Sequence, residues 1–222
     1  MVNSIAIVSG GMDSVTMLHY LVKHENQKPA ILTFSYKQKH SKEIEYARIQ
    51  AKTLGCDIHQ IIDLGLLAPA FATSALVSNE IPVPNIDMVQ GDSQPVTYVP
   101  NRNMIFLAIA AAFAETLGVT EIFYGAQAHD LYGYWDTTPD FLERINTLLS
   151  LNRKNSIKVK APLVNLSKAE VLKLGLELQV DYSKTWSCYE GNDLACGKCP
   201  TCAERLAAFK VMGIPDPLPY QN

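Results

Sequence analysis

The chain has 222 residues, of which 48% are hydrophobic and 18% charged, and its formal net charge is -3 at pH 7. This size supports a substantial core, in one large domain or one domain with a small appendage, while the slightly acidic balance argues against a nucleic-acid partner. No apolar stretch is long and uncharged enough to cross a membrane and no signal peptide is recognisable, so we expect a cytoplasmic protein with reduced thiols.

The chain begins with an apolar strand, a glycine turn and a helix. The turn lies between the predicted strand Ser4–Val8 and the predicted helix Ser14–His24. Glycines let the backbone approach a ligand, and amides at a helix N-terminus suit an anion such as pyrophosphate. The turn lacks the Gly-Lys-Ser/Thr ending of a Walker loop, and its alternative interpretation is an ordinary tight turn. It reads Ser9-Gly10-Gly11-Met12-Asp13-Ser14.

Strand and helix patterns alternate along the rest of the chain. Ser41 and Ser167 are predicted N-caps, with Glu170 placed for a capping box, and Gly55 and Gly118 are predicted helix stops. The alternation predicts an α/β fold with a parallel sheet covered by helices on both faces, and ligands at the carboxyl ends of its strands. The remaining predicted strands are Ala30–Tyr36, Asp57–Ile62, Glu121–Tyr124 and Ile157–Lys160; the remaining predicted helices are Lys42–Leu54, Met104–Leu117, Pro139–Leu151, Lys168–Leu178 and Ala203–Met212.

One long stretch interrupts this alternation. From Thr73 to Pro100 the chain contains four prolines and few helical runs. Such a loop is usually functional, as a lid or a substrate wall, or else disordered. Arg102 follows it, just before a predicted helix, and is the best candidate for a fixed cation that binds phosphates; the alternative is a solvated surface arginine.

Four of the five cysteines lie close together near the C-terminus. Cys188, Cys196, Cys199 and Cys202 have the spacing C-x7-C-x2-C-x2-C, which matches a closed tetrahedral structural zinc site. Disulfides are disfavoured in a reducing compartment, whereas an iron–sulfur cluster is an alternative because C-x2-C-x2-C also occurs in ferredoxin-like runs. We expect an ATP-binding α/β domain over residues 1–166 and a C-terminal helical region with the metal site over 167–222.

The N-terminal loop resembles the pyrophosphate loop of the N-type ATP pyrophosphatases. Together with the cysteine run, it makes nearly the whole chain similar to the QueC family, the 7-cyano-7-deazaguanine synthases. The further matching stretches are Tyr36-Lys37-Gln38-Lys39-His40, Val99-Pro100-Asn101-Arg102-Asn103-Met104-Ile105-Phe106-Leu107, Leu163-Val164-Asn165-Leu166-Ser167-Lys168-Ala169-Glu170 and Thr185-Trp186-Ser187-Cys188-Tyr189.

This resemblance implies an adenine-nucleotide α-hydrolase-like, Rossmann-like fold, usually in a homodimer. It also implies an enzyme of queuosine biosynthesis that uses ATP and ammonia to convert 7-carboxy-7-deazaguanine, a small deazapurine carboxylate, to the 7-cyano base. The carboxylate and then the amide would be adenylated, with release of AMP and pyrophosphate.

The same resemblance assigns roles to residues. The loop from Ser9 to Ser14 would bind ATP with Mg²⁺, and Asp13, Ser14 and Arg102 would be catalytic. The four clustered cysteines would hold structural Zn²⁺. The candidate substrate-binding residues are Tyr36, Lys39, His40, His129, Asp130, Tyr134, Trp135 and Asp136.

The chain also departs from the family pattern. Family members have Tyr-Gly-Gln-Arg-His where this chain has Lys37 and Lys39, and Gly-Arg-Asn where it has Asn101. The family's Asp-x-Ser-Gly-Tyr-Pro-Asp-Cys-Arg segment, associated with the acceptor, is rewritten with two more aromatic residues and without its arginine, which a carboxylate substrate would miss most. In this chain it reads Asp130-Leu131-Tyr132-Gly133-Tyr134-Trp135-Asp136-Thr137-Thr138.

These departures leave alternatives for the function. A related enzyme could activate another acceptor, such as another base, a nucleotide or a protein terminus, because Tyr132, Tyr134 and Trp135 suit stacking on a base. A tRNA-thiolating pyrophosphatase would share the front loop but typically has a basic RNA-binding face. A nucleotide-binding sensor without turnover would not need Asp13 and Arg102.

Overall fold

The computed structural model describes residues 1–39, 42–89, 91–92, 94–127, 134–190 and 193–221. Within these ranges, five parallel strands form one sheet in the order β3-β2-β1-β4-β5. All five predicted strands are confirmed, with ends that differ by at most two residues. They are β1 (Ser4–Ile7), β2 (Pro29–Ser35), β3 (His59–Asp63), β4 (Glu121–Tyr124) and β5 (Lys158–Lys160).

The six predicted helices are also confirmed. Three of them begin two or three residues before the predicted start. The described residues also contain four short 3-10 helices, at 65–71, 86–88, 135–137 and 182–184, that the sequence pattern did not predict. The α-helices are α1 (Met12–Lys23), α2 (Lys42–Thr53), α3 (Arg102–Leu117), α4 (Pro139–Leu149), α5 (Lys168–Glu177) and α6 (Pro200–Val211).

Helix ends follow the local chemistry of the chain. Ser167 and Glu170 form a complete capping box at the start of α5. Gly118 ends α3 with φ of 68°, in the left-handed conformation that glycine adopts without a Cβ clash. The predicted N-cap Ser41 lies outside the described residues.

The sheet has a buried core on each face because alternate strand residues point to opposite sides. Ile5, Leu32 and Ile122 belong to the cluster that packs against α3 and α4. Ala6 and Ile31 belong to the cluster that packs against α1, α2 and α5. The alternating sequence pattern therefore gives a three-layer arrangement of helices, sheet and helices.

The connectivity creates a crevice at one edge of this arrangement. From β1 the chain moves outward to β2 and β3, and it then returns to place β4 on the other side of β1. Loops that leave neighbouring strands in opposite directions separate at the carboxyl ends of those strands, and ligands bind at such a switch point. The glycine turn after β1 lies at this point.

The long segment between β3 and α3 packs against the domain where it is described. Leu76 and Val99 are buried in the α3 face of the core, and the backbone amide of Ala75 donates a hydrogen bond to the carbonyl of Val96. The described part of this segment therefore forms a wall beside the crevice.

No described helix has the length and apolar character needed to cross a membrane.

Candidate active site

A cavity of about 220 Å³ lies at the carboxyl ends of β1 and β4. Its walls come from the glycine turn, the ends of the central strands, the start of α3 and the segment just before the cysteine cluster. Eight of the residues predicted for the site line it together: Ser9, Gly11, Met12, Asp13, Ser14, Tyr36, Arg102 and Tyr134.

The glycine turn is organised around one hydroxyl group. Ser14 Oγ accepts hydrogen bonds from the backbone amides of Ser9, at 3.2 Å, and Gly10, at 3.3 Å. Gly10 has φ of 96°, and a Cβ at this position would lie 2.0 Å from the backbone oxygen of Glu43 in α2. Only glycine can therefore pass this point. Gly11 is the N-cap residue of α1 and makes no side-chain hydrogen bond to the helix. The backbone amides of the first turn of α1 are therefore not capped by the preceding side chain.

Asp13 is held by a cation from a distant part of the chain. Lys168 Nζ, at the start of α5, lies 2.8 Å from Asp13 Oδ2. Asp13 Oδ1 is buried and has no hydrogen-bond partner among the described residues. A carboxylate with one oxygen fixed and the other available fits the oxygen ligands that Mg²⁺ prefers, at the mouth of an anion-binding turn.

Arg102 begins α3 and faces the same cavity. Its Nη1 donates to Tyr36 Oη at 3.2 Å. Burial by itself disfavours the charged guanidinium, but the acidic groups around it, among them the carboxylate of Asp136, outweigh burial and raise the pKa of Arg102. Burial also raises the pKa of Tyr36, so that its hydroxyl stays protonated. Arg102 is therefore a permanent cation in the wall of the cavity.

The start of α3 is capped from another segment. Asn101 has φ of 54° and makes no side-chain cap. Instead, Asp136 Oδ2 accepts a hydrogen bond from the backbone amide of Asn103 at 3.1 Å, and Asn103 Nδ2 donates to the Asp136 carbonyl oxygen. Asp136 is buried and does not line the cavity. It contacts the helix turn that carries Arg102.

The other predicted acceptor residues are distributed differently. Tyr134 lines the cavity, and its hydroxyl lies 2.8 Å from Thr97 Oγ1. Trp135 Nε1 donates to Tyr98 Oη at 2.8 Å, and Lys39 Nζ donates to the carbonyl oxygen of Ile81; neither of these two side chains lines the cavity. The candidates His40, His129 and Asp130 lie outside the described residues.

Sequence reasoning missed several lining residues, among them Lys168, Tyr124 and Gln127. Lys168 lies in a stretch that matches the family, but its contact with Asp13 spans 155 positions. Tyr124 and Gln127 are 4% and 3% exposed, and each has a buried polar atom without a hydrogen-bond partner among the described residues. Burial raises the pKa of Tyr124. Their position at and just after the end of β4 is the signal that could have identified them.

The four clustered cysteines form a compact donor set. Their Sγ atoms all lie within 4.8 Å of one another, and all four side chains are buried. Backbone amides of Cys196 and Cys199 donate to Cys188 Sγ and Cys196 Sγ, each at 3.3 Å. Burial raises the pKa of Cys196 to about 12, so a bound cation is what would make these thiols thiolates. The arrangement can hold a metal ion.

The cysteine cluster is joined directly to the glycine turn. The backbone amide of Trp186 donates to the Gly10 carbonyl oxygen at 3.0 Å. Thr201 Oγ1, in the first turn of α6, donates to the Ser187 carbonyl oxygen at 2.6 Å, and both residues line the cavity. The cysteine-rich segment therefore forms one wall of the candidate active site.

The comparisons with known proteins agree with this geometry. The family model described as "Queuosine biosynthesis protein QueC" matches residues 3–213. A 7-cyano-7-deazaguanine synthase from Caldicellulosiruptor saccharolyticus is 41% identical over 98% of this chain and 95% of its own length. One from Psychromonas ingrahamii is 40% identical over 98% of this chain and 97% of its own length.

Solved structures share the fold at low identity. The NMN synthetase from Francisella tularensis aligns with a TM-score of 0.54 and 16% identity, over 96% of this chain and 78% of that one. An NH3-dependent NAD synthetase from Campylobacter jejuni aligns with a TM-score of 0.50 and 13% identity, over 82% of this chain and 66% of that one. At these identities the likeness extends to the architecture alone.

Proposed function

The chain belongs to the QueC family, and on that premise we propose that it converts 7-carboxy-7-deazaguanine and ammonia to 7-cyano-7-deazaguanine with ATP. It is an ATP-dependent carbon–nitrogen ligase of queuosine biosynthesis. The observation that carries the proposal is the match over residues 3–213, in a chain whose glycine turn, Asp13 and Arg102 line one cavity.

The chemistry accounts for the use of ATP. A carboxylate oxygen attacks the α-phosphorus, pyrophosphate leaves, and ammonia then displaces AMP from the acyl carbon to form the amide. The amide oxygen attacks a second ATP in the same way, and loss of AMP and of the nitrogen-bound protons leaves the nitrile. Such transfers depend on positioning and charge neutralisation more than on covalent participation of the protein.

The residues of the cavity supply those two effects. We propose that the amides and hydroxyls from Ser9 to Ser14 bind the pyrophosphate portion, and that Arg102 neutralises negative charge beside it. Lys168 orients Asp13 through the 2.8 Å ion pair and leaves Asp13 Oδ1 for the metal. Mg²⁺, when bound, would supply further neutralisation of the phosphates.

We propose structural zinc for the cysteine cluster. Four thiolates on one tetrahedral ion, with Zn–S bonds of about 2.3 Å, lie about 3.8 Å apart, and Cys196 Sγ and Cys202 Sγ are separated by 4.0 Å. In a four-iron cluster each thiolate binds a different iron, which spreads the sulfurs farther apart. Four protein ligands leave no position for a substrate, so the ion stabilises the fold.

Three further features extend the proposal. By resemblance to the family, the protein would be a cytoplasmic homodimer. The chain would divide into an ATP-binding region, 1–166, and a metal-binding helical region, 167–222, with α6 in the latter.

A second candidate is a related ligase with a different acceptor. Thr138 stands where the family pattern has its arginine, and its Oγ1 is engaged in capping α4 through the backbone amide of Phe141. Its neighbour Thr137 lines the cavity. The hydroxyl of Thr137 already donates to the Tyr134 carbonyl oxygen. The described part of this segment therefore presents no cation to the cavity, which favours an acceptor of altered charge.

The deciding experiment is an incubation with ATP, Mg²⁺, ammonium and 7-carboxy-7-deazaguanine, followed by mass spectrometry. We expect the nitrile base, AMP and pyrophosphate. Folded, metal-loaded protein that binds ATP but forms no nitrile would contradict the proposal and favour another acceptor. Binding of ATP without AMP release for any acceptor would identify a sensor.

Substitution of the carboxylate in the glycine turn tests the site within the same assay. We expect Asp13→Asn to lower turnover by about 100-fold or more, because a charge-neutralising group at the phosphates is lost. The matched control is Asp63→Asn, at the end of β3, whose carboxylate lies outside the cavity. Equal activity of the two variants would contradict a role for Asp13.

A further inference from the structure

The cavity has polar groups that ATP binding does not account for. Gln127 follows the end of β4, is 3% exposed and lines the cavity. Its Oε1 is buried and has no hydrogen-bond partner among the described residues. An unsatisfied acceptor in a buried site is costly and calls for a partner. The residue lines the cavity, so a ligand that fills the cavity is the candidate for that partner.

The orientation of the Gln127 amide follows from its other contact. Gln127 Nε2 donates to the carbonyl oxygen of Leu166 at 2.8 Å. Exchanging the amide oxygen and nitrogen would place two acceptors against each other, so the network itself assigns the nitrogen to Leu166. Gln127 Oε1 is therefore the atom of this side chain without a partner, and a carbonyl oxygen can only accept a hydrogen bond.

A second buried glutamine shows what a purely structural role looks like in this fold. Gln50 is 2% exposed, and its Nε2 also donates to a backbone carbonyl, that of Lys184, at 2.8 Å. Its Oε1, however, lies 2.9 Å from His19 Nε2. Both ends of Gln50 are satisfied within the protein, whereas one end of Gln127 is not.

We propose that Gln127 is a specificity-determining residue whose Oε1 accepts a hydrogen bond from an N–H group of the acceptor base. This inference rests on the proposed function and names the substrate group that the wall beyond β4 recognises. The guanine-like edge of 7-carboxy-7-deazaguanine carries two candidate donors, the 2-amino group and the adjacent ring N–H. A base without a donor there would leave the buried oxygen unpaired.

The test pairs protein variants with ligand analogues. Binding of 7-carboxy-7-deazaguanine is compared with binding of an analogue without the 2-amino group and of a 6-methoxy analogue without the ring N–H, by calorimetric titration of the full chain. Because an unpaired buried acceptor costs about 5- to 150-fold in affinity, wild type should bind at least one analogue about tenfold or more weakly. Gln127→Met should lose that discrimination.

The matched control is Gln50→Met, which also removes a buried amide from a backbone carbonyl but lies outside the cavity. A general loss of stability affects all three ligands equally, so the ratio of affinities within one variant isolates the direct contact. Thermal unfolding of both variants shows that each is folded. Gln50→Met should keep the wild-type ratio.

Two failures are distinguishable. Wild type that binds the three ligands equally, or Gln127→Met that keeps both wild-type ratios while the nitrile is still formed, overturns the role of Gln127 alone. Wild type that neither binds nor converts 7-carboxy-7-deazaguanine contradicts the proposed function itself.

Discussion

Of the four described non-glycine residues with a positive φ, which usually favours glycine, two concern the family pattern. Lys37 has φ of 59° and Asn101 has φ of 54°, and both stand where the family pattern has glycine. An L-residue in the left-handed region crowds its Cβ against the backbone at a cost of about 1–2 kcal/mol, although asparagine tolerates it better. The conformation has therefore been kept while the glycine has been replaced.

Restoring glycine at Lys37 should stabilise the protein. The lysine is exposed, so relief of strain should outweigh the greater entropy of glycine in the unfolded chain, with a net gain of about 0.5–1 kcal/mol. Urea unfolding of Lys37→Gly measures this gain. Lys52→Gly, in the helical conformation of α2, is the matched control and should lose about that amount. A lower free energy of unfolding for Lys37→Gly would contradict the role of strain.

At the residue scale, the sequence predicts the part of the site that is contiguous in the chain. The six residues from Ser9 to Ser14 carry their own geometry, because two glycines and a helix start are enough to define it. Lys168 and Gln127 could not be assigned in the same way. Their roles depend on Asp13 and on Leu166, which only the folded sheet brings to them.

At the scale of helices and strands, the elements were predictable and some of their starts were not. Apolar runs define strands and periodic runs define helices, whatever their neighbours. The starts of α1 and α3 carry no side-chain cap from the preceding residue. For α3 the cap comes from Asp136, which is 33 positions away in the sequence, and no local pattern reveals it.

A buried polar chain joins two helices to the segment that leads into the cysteine cluster. His19 in α1 lies 2.9 Å from Gln50 in α2, and Gln50 donates to the carbonyl of Lys184, two residues before Trp186. Burial lowers the pKa of His19, with a smaller contribution from Lys23, and hydrogen bonding opposes the shift. The neutral imidazole is therefore the form that the fold accommodates.

This linkage predicts acid sensitivity from His19. Because the pKa of His19 is lower in the folded state than in the unfolded state, the unfolded chain binds the proton first as pH falls. The stabilisation should be complete above the unfolded pKa near 6.5 and should decrease below it, until the folded pKa is passed. Thermal unfolding between pH 7.5 and pH 5.5 measures this effect.

The comparison that isolates His19 uses two glutamine variants. His19→Gln should lose less stability than wild type over this pH interval. In this variant, position 19 carries no group that titrates in either the folded or the unfolded state. His24→Gln, at the exposed end of α1, should keep the wild-type dependence. Identical pH profiles for His19→Gln and wild type would show that another group is responsible.

At the scale of the whole molecule, the C-terminal segment closes onto the sheet through polar contacts. Arg205 Nε lies 2.7 Å from Asp216 Oδ2, and both side chains are almost fully buried. Arg205 also donates to Thr185 Oγ1 and to the Tyr182 carbonyl oxygen. Tyr182 Oη in turn lies 2.7 Å from Thr16 Oγ1 in α1. A change in the cysteine region should therefore be transmitted to the helix that begins at the glycine turn.

Removal of the metal should consequently weaken ATP binding as well as the C-terminal fold. Cys199 is the N-cap residue of α6, and Thr201 on the first turn of that helix supports Ser187 in the cavity wall. Loss of one thiolate from a closed site removes folding free energy, so we expect Cys199→Ser to lose its metal and to bind ATP about tenfold or more weakly. Elemental analysis, ATP titration and amide exchange at residues 186–188 and 9–14 measure the three effects.

The control for this prediction is Cys56→Ser, which alters a cysteine outside the cluster and should keep both metal and ATP affinity. Iron in place of zinc in the wild type would contradict the zinc assignment but leave the coupling intact. Unchanged ATP affinity and unchanged exchange at 9–14 in metal-free Cys199→Ser would contradict the coupling. The Trp186–Gly10 hydrogen bond, 3.0 Å long, gives the physical reason to expect otherwise: the metal-binding segment and the phosphate-binding turn share a backbone contact, so the turn cannot keep its position when that segment loosens.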